Sequence, residues 1–157
     1  MEVIIFIGLQ ATGKSTFYRQ NFATTHELIS KDLMSKRSGK ESRQAQSIEI
    51  ALEAGKSIVI DNTNPREIDR VNIINQSQKY QVRIIGYYFA SKVSESLERN
   101  STRTGKALVP DVGIFATAKL LVQPEYREGF DDLFYVQIGE DDKFIVTPWR
   151  EESTDGT

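Results

Sequence analysis

Apolar residues fall along this chain in two rhythms. Val3–Ile7 is an unbroken run, and shorter or comparable runs recur at Leu28–Ser30, Ser57–Ile60, Val82–Phe89 and Leu133–Ile138. Such runs suit strands covered on both faces. Between them the period lengthens. Ser42–Ala54 places Ala45, Ile48, Ala51 and Leu52 at the spacing of a one-sided helix, and Gly55 is placed to end it. Ser15–Phe22, Ser94–Asn100 and PDVGIFATAKLLVQP, bracketed by Pro110 and Pro124, also read as helices. "NPRE" predicts another helix start, with Asn64 as cap, Pro65 at the first helical position and Glu67 at the third. Phe144–Val146 has the composition of a short edge strand. The alternation predicts an α/β fold: a parallel five-stranded sheet with helices on both faces and ligands at the carboxyl ends of the strands. No repeat or low-complexity block interrupts it. Residues 1–150 read as a single domain and 151–157 as a loose acidic tail.

The first strand runs into GLQATGKST, residues 8–16. Gly8-x4-Gly13-Lys14-Ser15 is a complete Walker A pattern in the strand–turn–helix context it requires. Glycines let the loop aim successive N–H groups inward, and the helix starting near Lys14 adds its N-terminal partial charge. Gly8, Gln10, Ala11, Thr12, Gly13, Lys14, Ser15 and Thr16 are therefore the candidate nucleotide-binding residues. Lys14 reaches the β and γ phosphates, and the Ser15 hydroxyl suits Mg²⁺. The guanine-reading pattern Asn-Lys-x-Asp is absent, which favours ATP.

Composition removes other chemistries. The 157 residues contain no cysteine and one histidine, His26, which reads as an ordinary loop residue. Disulfides, thiolate nucleophiles and cysteine-ligated zinc are excluded, and the chain suits a reducing cytoplasm. The opening apolar run lacks a basic segment before it and a cleavage site after it, so it is not a signal peptide. No stretch approaches membrane-spanning length. The net charge of −2 hides an asymmetry: from Glu125 onward ten acids face three bases, whereas the preceding 124 residues carry 17 bases and 12 acids. A mildly basic body can bind a polyanion locally.

Phosphoryl transfer needs a carboxylate near the acceptor hydroxyl and cations around the moving phosphate. "LISKD" puts Asp32 just past the second strand, where it serves either as that carboxylate or as a turn cap. "SIVIDNTN" puts Asp61 at the end of the third strand, a Walker B-like position that either holds a Mg²⁺ water or Ser15, or caps the next helix. Arg99 and Arg103, four apart, would share a helical face beside Lys106 in a polar segment, about residues 92–110. That is either a lid closing over phosphates or a solvated basic helix end. Phe17, Tyr18, Phe22, Tyr87, Tyr88 and Phe89 read as core. Tyr126 and Phe130 fit nucleotide contact and packing equally, and neither is assigned.

Taken in order, GLQATGKSTF, SKD, VIDNTNP, RNSTRTGKALVP and PEYREGFDDLFYV resemble the polynucleotide 5′-hydroxyl kinases, the kinase domains of polynucleotide kinase-phosphatases and of the phage end-repair enzyme. The resemblance runs from about Val3 to Trp149. It implies a P-loop kinase fold with a helical lid, use of ATP and Mg²⁺, and transfer to a nucleic-acid 5′ end. It further implies Asp32 as general base, Lys14 and Ser15 as phosphate and Mg²⁺ contacts, and Arg99 and Arg103 as lid clamps. Residues at and after Asp61 would lie near both sites. The phage enzyme's acceptor-gripping arginine falls here at Ser35, with Lys36 and Arg37 just beyond; the basic stretch Lys36–Arg43 is either a strand path or an exposed loop. No phosphatase or ligase motif is expected within these residues, and separate phosphatase or ligase partners are one expectation the resemblance raises. Two other readings stay open: a kinase of a small hydroxyl metabolite (nucleoside or sugar) on the same scaffold, and an ATP-binding regulator or weak ATPase.

Overall fold

Strand β1 (Glu2–Ile7) is the axis of the molecule, and residues Val3 to Ile7 have no exposed surface. The computed structural model describes residues 1–35 and 37–150, without the side chain of Lys106. β1 pairs in parallel with β3 (Ile58–Ile60) on one side and β4 (Arg83–Phe89) on the other, with Ile5 level with both Ile60 and Gly86. β2 (Glu27–Ile29), β5 (Asp132–Ile138) and β6 (Phe144–Pro148) complete the order β2-β3-β1-β4-β5-β6. The first five strands in this order are parallel. The sixth, beside β5, is antiparallel: the short edge strand expected at Phe144–Val146 forms as Phe144–Pro148 and extends the predicted five-stranded parallel sheet. A tight turn explains it: Gly139 N–H donates to Lys143 O at 2.7 Å and sends the chain straight back.

Side chains alternate across β1. Val3, Ile5 and Ile7 pack with Ile48 and Leu52 of α2 (Lys40–Glu53) and with Ile73 and Ile74 of α3 (Glu67–Ser77). Ile4 and Phe6 pack the other way, with Phe17 and Tyr18 of α1 (Lys14–Asn21). Both faces are thus covered, which is why the strands read as unbroken apolar runs. The aromatic residues assigned to the core lie there: Phe6 and Phe17 rings are 5.9 Å apart, and Tyr87 stacks on Phe134 at 5.1 Å. A Cβ at Gly86 would stand 2.5 Å from the Leu133 side chain and 2.8 Å from the Phe130 ring, so a larger residue there would force both to move. α4 (Val93–Ser101) and α5 (Asp111–Leu120) lie between β4 and β5 in the chain. Among the described residues no helix is long and apolar enough to cross a membrane.

Three local expectations are corrected. Asn64 does not cap α3. Its backbone is left-handed (φ 43°) and its amide donates to Phe6 O at 2.7 Å, tying the loop to β1. Arg66 caps instead, its N–H held by Asp69 Oδ2 at 2.9 Å, and Glu67 is the first helical residue rather than the third. His26 is not a plain loop residue: its ring is largely buried, joined to Glu2 at 2.7 Å and edge-on to Phe22. The tail 151–157 lies outside the described residues.

Arg70 and Glu128 form a fully buried ion pair, with Nε–Oε1 at 2.7 Å and Nη2–Oε2 at 3.1 Å. The remaining guanidinium nitrogen donates to the carbonyls of Asn64, Pro65 and Val122 at 3.0–3.1 Å. Removing one partner leaves a buried charge unmatched. Glu128→Ala is expected to lower unfolding free energy by about 3–5 kcal/mol in urea denaturation. Arg70→Met with Glu128→Leu should recover little, because three carbonyls would still lose their donor.

Candidate active site

The turn from β1 into α1 is held open by its backbone and its neighbours. Gly8, Ala11 and Gly13 all have positive φ. The Phe144 ring lies against Gly13 so closely that a Cβ there would stand 2.9 Å from it. Gly8 N–H donates to Thr63 O at 3.0 Å, and Leu9 N–H to Ser91 Oγ at 3.1 Å. Gln10 donates to Thr117 of α5 at 2.9 Å, and Thr12 Oγ1 to Leu9 O at 2.9 Å. The Lys14 amine is folded back into this turn, bonding Gly8 O at 3.0 Å and Leu9 O at 2.5 Å. Ser15 and Thr16 follow on the first turn of α1, with Thr16 Oγ1 bonded to Arg19.

Asp61 accepts the Ser15 hydroxyl at 2.8 Å and is 6% exposed. Its capping alternative is gone, because Arg66 caps α3. Burial pushes its carboxyl above the usual range. Lys14 and the Ser15 bond pull it back, and Asp32 pushes it up again. Asp32 sits exposed on a single turn, Lys31–Leu33, at the carboxyl end of β2. Ser30 caps that turn by accepting the Asp32 N–H, so the Asp32 carboxylate is not spent on capping. Asp32 stands close enough to influence both Lys14 and Asp61.

Arg103 does not share a helical face with Arg99. α4 ends at Ser101, and Arg103 follows in the loop, where its guanidinium donates to Ala107 O at 3.2 Å. From there it acts on Lys14 electrostatically. Arg99 lies half-buried on the last turn of α4, with no bond to the phosphate loop among the described residues. Lys36 and the Lys106 side chain lie outside the described residues. The structure therefore brings Lys14, Ser15, Asp61, Asp32 and Arg103 together and leaves Arg99 at the margin.

Several residues here were not singled out from the sequence. Asn100, 1% exposed, donates to Val109 O at 2.6 Å and accepts the Val109 N–H at 3.1 Å, clasping α4 to the start of α5. Asn62 donates to Gln44 Oε1 and accepts the N–H of Lys31, the residue before Asp32. The string VIDNTNP contained Asn62 and the string PEYREGF contained Glu128, but nothing in the pattern names their distant partners. Beside Gly13 a cavity of about 500 Å³ opens between α1 and the β5–β6 turn, lined by Phe17, Asn21, Asp142, Lys143, Phe144 and Val146.

The oxygen-only pair Ser15–Asp61 beside an amine-filled turn fits a hard cation shared with phosphates. Among the described residues no group of three or more histidine, cysteine or acidic side chains is placed to hold a metal by itself.

This arrangement is that of a P-loop kinase domain. The chain belongs to the AAA domain family, whose model matches residues 3–113. It is 28% identical over 156 residues to a putative bifunctional polynucleotide phosphatase/kinase of Acanthamoeba polyphaga mimivirus, a match covering 95% of this chain and 36% of the relative. The chain spans about a third of the length of the curated relatives it matches. A fungal RNA kinase superposes with a TM-score of 0.69 at 14% identity, over 90% of this chain and 39% of that one. A gluconokinase from Sinorhizobium meliloti 1021 superposes at 0.62 and 15% identity, over 88% and 83%. These superpositions show a shared fold.

The Lys14 amine is lowered to about 8: burial lowers it most, Asp61 raises it, Arg103 lowers it and Asp32 raises it. The sign follows. Below about 8 the amine is charged in folded and unfolded chains alike and the full cost of burying it is present; that cost fades as pH rises from 8 towards 10.5. A bound phosphate would restore the charge. ATP binding near pH 8 is therefore expected to take up protons, read by calorimetry in buffers of different ionisation enthalpy. The uptake should vanish towards acid pH and in Lys14→Met.

Proposed function

We propose that this domain transfers the γ-phosphoryl group of ATP to the 5′-hydroxyl of a nucleic-acid end. The observation that carries the reading is the placement of Asp32. Its carboxylate is exposed at the carboxyl edge of the sheet, across from Lys14 and the Ser15–Asp61 pair, on an open rim rather than inside a closed pocket. The segment around Asp32 is rich in bases: Lys31, Arg37, Lys40 and Arg43 lie near it in sequence, against one acid, Glu41, which pairs with Lys31. An open cationic rim suits a strand, whereas a small metabolite calls for enclosure. The similarity of this chain to a polynucleotide phosphatase/kinase points the same way.

In this reading the loop N–H groups and Lys14 hold the β and γ phosphates, and Lys14 exchanges the Gly8 and Leu9 carbonyls for phosphate oxygens. Ser15 and Asp61 would hold Mg²⁺, which would supply positive charge to the phosphates. Asp32 accepts the proton of the attacking hydroxyl. The acceptor oxygen forms the new bond to the γ-phosphorus, the bond from that phosphorus to the bridging oxygen breaks, and ADP leaves. Arg103, with Arg99 behind it, supplies positive charge from the lid as negative charge spreads over the moving group.

Labelled ATP with 5′-hydroxyl RNA and DNA oligonucleotides, assayed separately, tests this. At least one should be labelled, and its apparent affinity should fall as salt rises. Asp32→Asn should reduce kcat by about 10²–10⁴-fold while ATP still binds. Labelling of a small polyol or nucleoside with neither oligonucleotide labelled would overturn the acceptor assignment.

A further inference from the structure

Consecutive residues at the end of β3 serve the two halves of the site. Asp61 holds the Ser15 hydroxyl. The next side chain, Asn62, bonds in the other direction: its Oδ1 accepts the N–H of Lys31 at 2.9 Å, and its Nδ2 donates to Gln44 Oε1 at 2.7 Å. Gln44 belongs to α2 and is 4% exposed. Lys31 is the residue that carries Asp32. At the other end of the same segment, Arg43 donates to Ser35 Oγ at 3.0 Å, to Ser35 O at 3.1 Å and to Arg37 O at 2.7 Å. Adjacent residues of α2 thus pin the segment on both sides of Asp32, and Asn62 joins it to the strand that holds Asp61.

We infer that Asn62 is the positioning residue for the base, fixing the Asp32 carboxylate relative to the Ser15–Asp61 pair; this rests on the phosphotransferase reading above. Asp32 is exposed on a turn of three residues, so packing does little to hold it. Its position comes from the bonds at Lys31 and from the cap at Ser30. The residue type matters. One neutral side chain must accept from a backbone N–H and donate to a buried carbonyl oxygen, and an amide does both from one plane. Alanine leaves the Lys31 N–H and the Gln44 oxygen without these partners. Aspartate accepts from Lys31 and, once the Gln44 amide turns over, accepts there too, while adding charge near Asp32 and Asp61. Gln44 and Arg43 act at one further remove, by holding Asn62 and the far end of the segment.

The test is a set of variants assayed for oligonucleotide phosphorylation, with melting temperature as a folding control. Asn62→Ala should lower kcat by about 10²-fold, the loss typical of a misplaced catalytic group, with little change in KM for ATP. Asn62→Asp should recover part of it. In an Asp32→Asn background, Asn62→Ala should cost less than about twofold more, because no carboxylate remains to be misplaced. An unchanged kcat in Asn62→Ala, or the same full loss in both backgrounds, would overturn the positioning role. Failure of the parent reading looks different: Asp32→Asn alone would then transfer at the wild-type rate.

Discussion

The buried pair of Arg70 and Glu128 holds the loop on which both halves of the site lean. Through one guanidinium it gathers the carbonyls of Asn64, Pro65 and Val122. Glu128 also accepts the N–H of Glu125 at 2.7 Å. The loop so fixed begins with Asp61 and Asn62, and its Thr63 carbonyl takes the N–H of Gly8. Pro65 O takes the N–H of Val122, just past α5. One ion pair therefore couples α3, the exit of α5, the phosphate loop and the strand end bearing both site residues. Its desolvation cost is offset only because every nitrogen and oxygen named here finds a partner.

Within that frame the donor half is electrostatically tense. An amine and a carboxylate are both buried, and burial shifts each toward its neutral form. Their mutual attraction opposes the shift without removing it. Arg103 adds a second cation near the amine, and Asp32 a second anion near both. In the proposed reading, an anionic phosphate among Lys14, Arg103 and the loop N–H groups would relieve the repulsion between the cations and favour the charged amine.

Much of this was legible in the sequence because it depends on local spacing. Strand runs, the glycine loop and the acid after β3 each lie within a few residues, and all appear where the spacing put them. The misreadings came from long-range competition. Asn64 has the composition of a cap, yet Phe6 O, 58 residues away, claims its amide. Arg99 and Arg103 are four apart, yet α4 ends between them, its final turn closed by Asn100 reaching to Val109. The edge strand expected at Phe144–Val146 forms; only its antiparallel direction, set by the turn at Gly139 and Lys143, was not legible. Gln44, Asn62 and the Arg70–Glu128 pair were hidden for the same reason: their partners lie 18 to 58 residues distant.

The two halves of the site are built from different materials, and this bears on how one fold serves different acceptors. The donor side is mostly backbone: positive-φ residues, N–H groups and the start of a helix, with Lys14 and Ser15 as its principal chemical side chains. Such a device survives wide sequence change, in keeping with folds shared at 14–15% identity between this chain, an RNA kinase and a gluconokinase. The acceptor side is built from side chains, namely Asn62, Gln44 and Arg43 around an exposed aspartate. Amide and guanidinium bonds of this kind fail with single substitutions. If the proposed function holds, acceptor choice is carried by these side chains and by the end of β3, where a single substitution removes a bond that the backbone cannot replace.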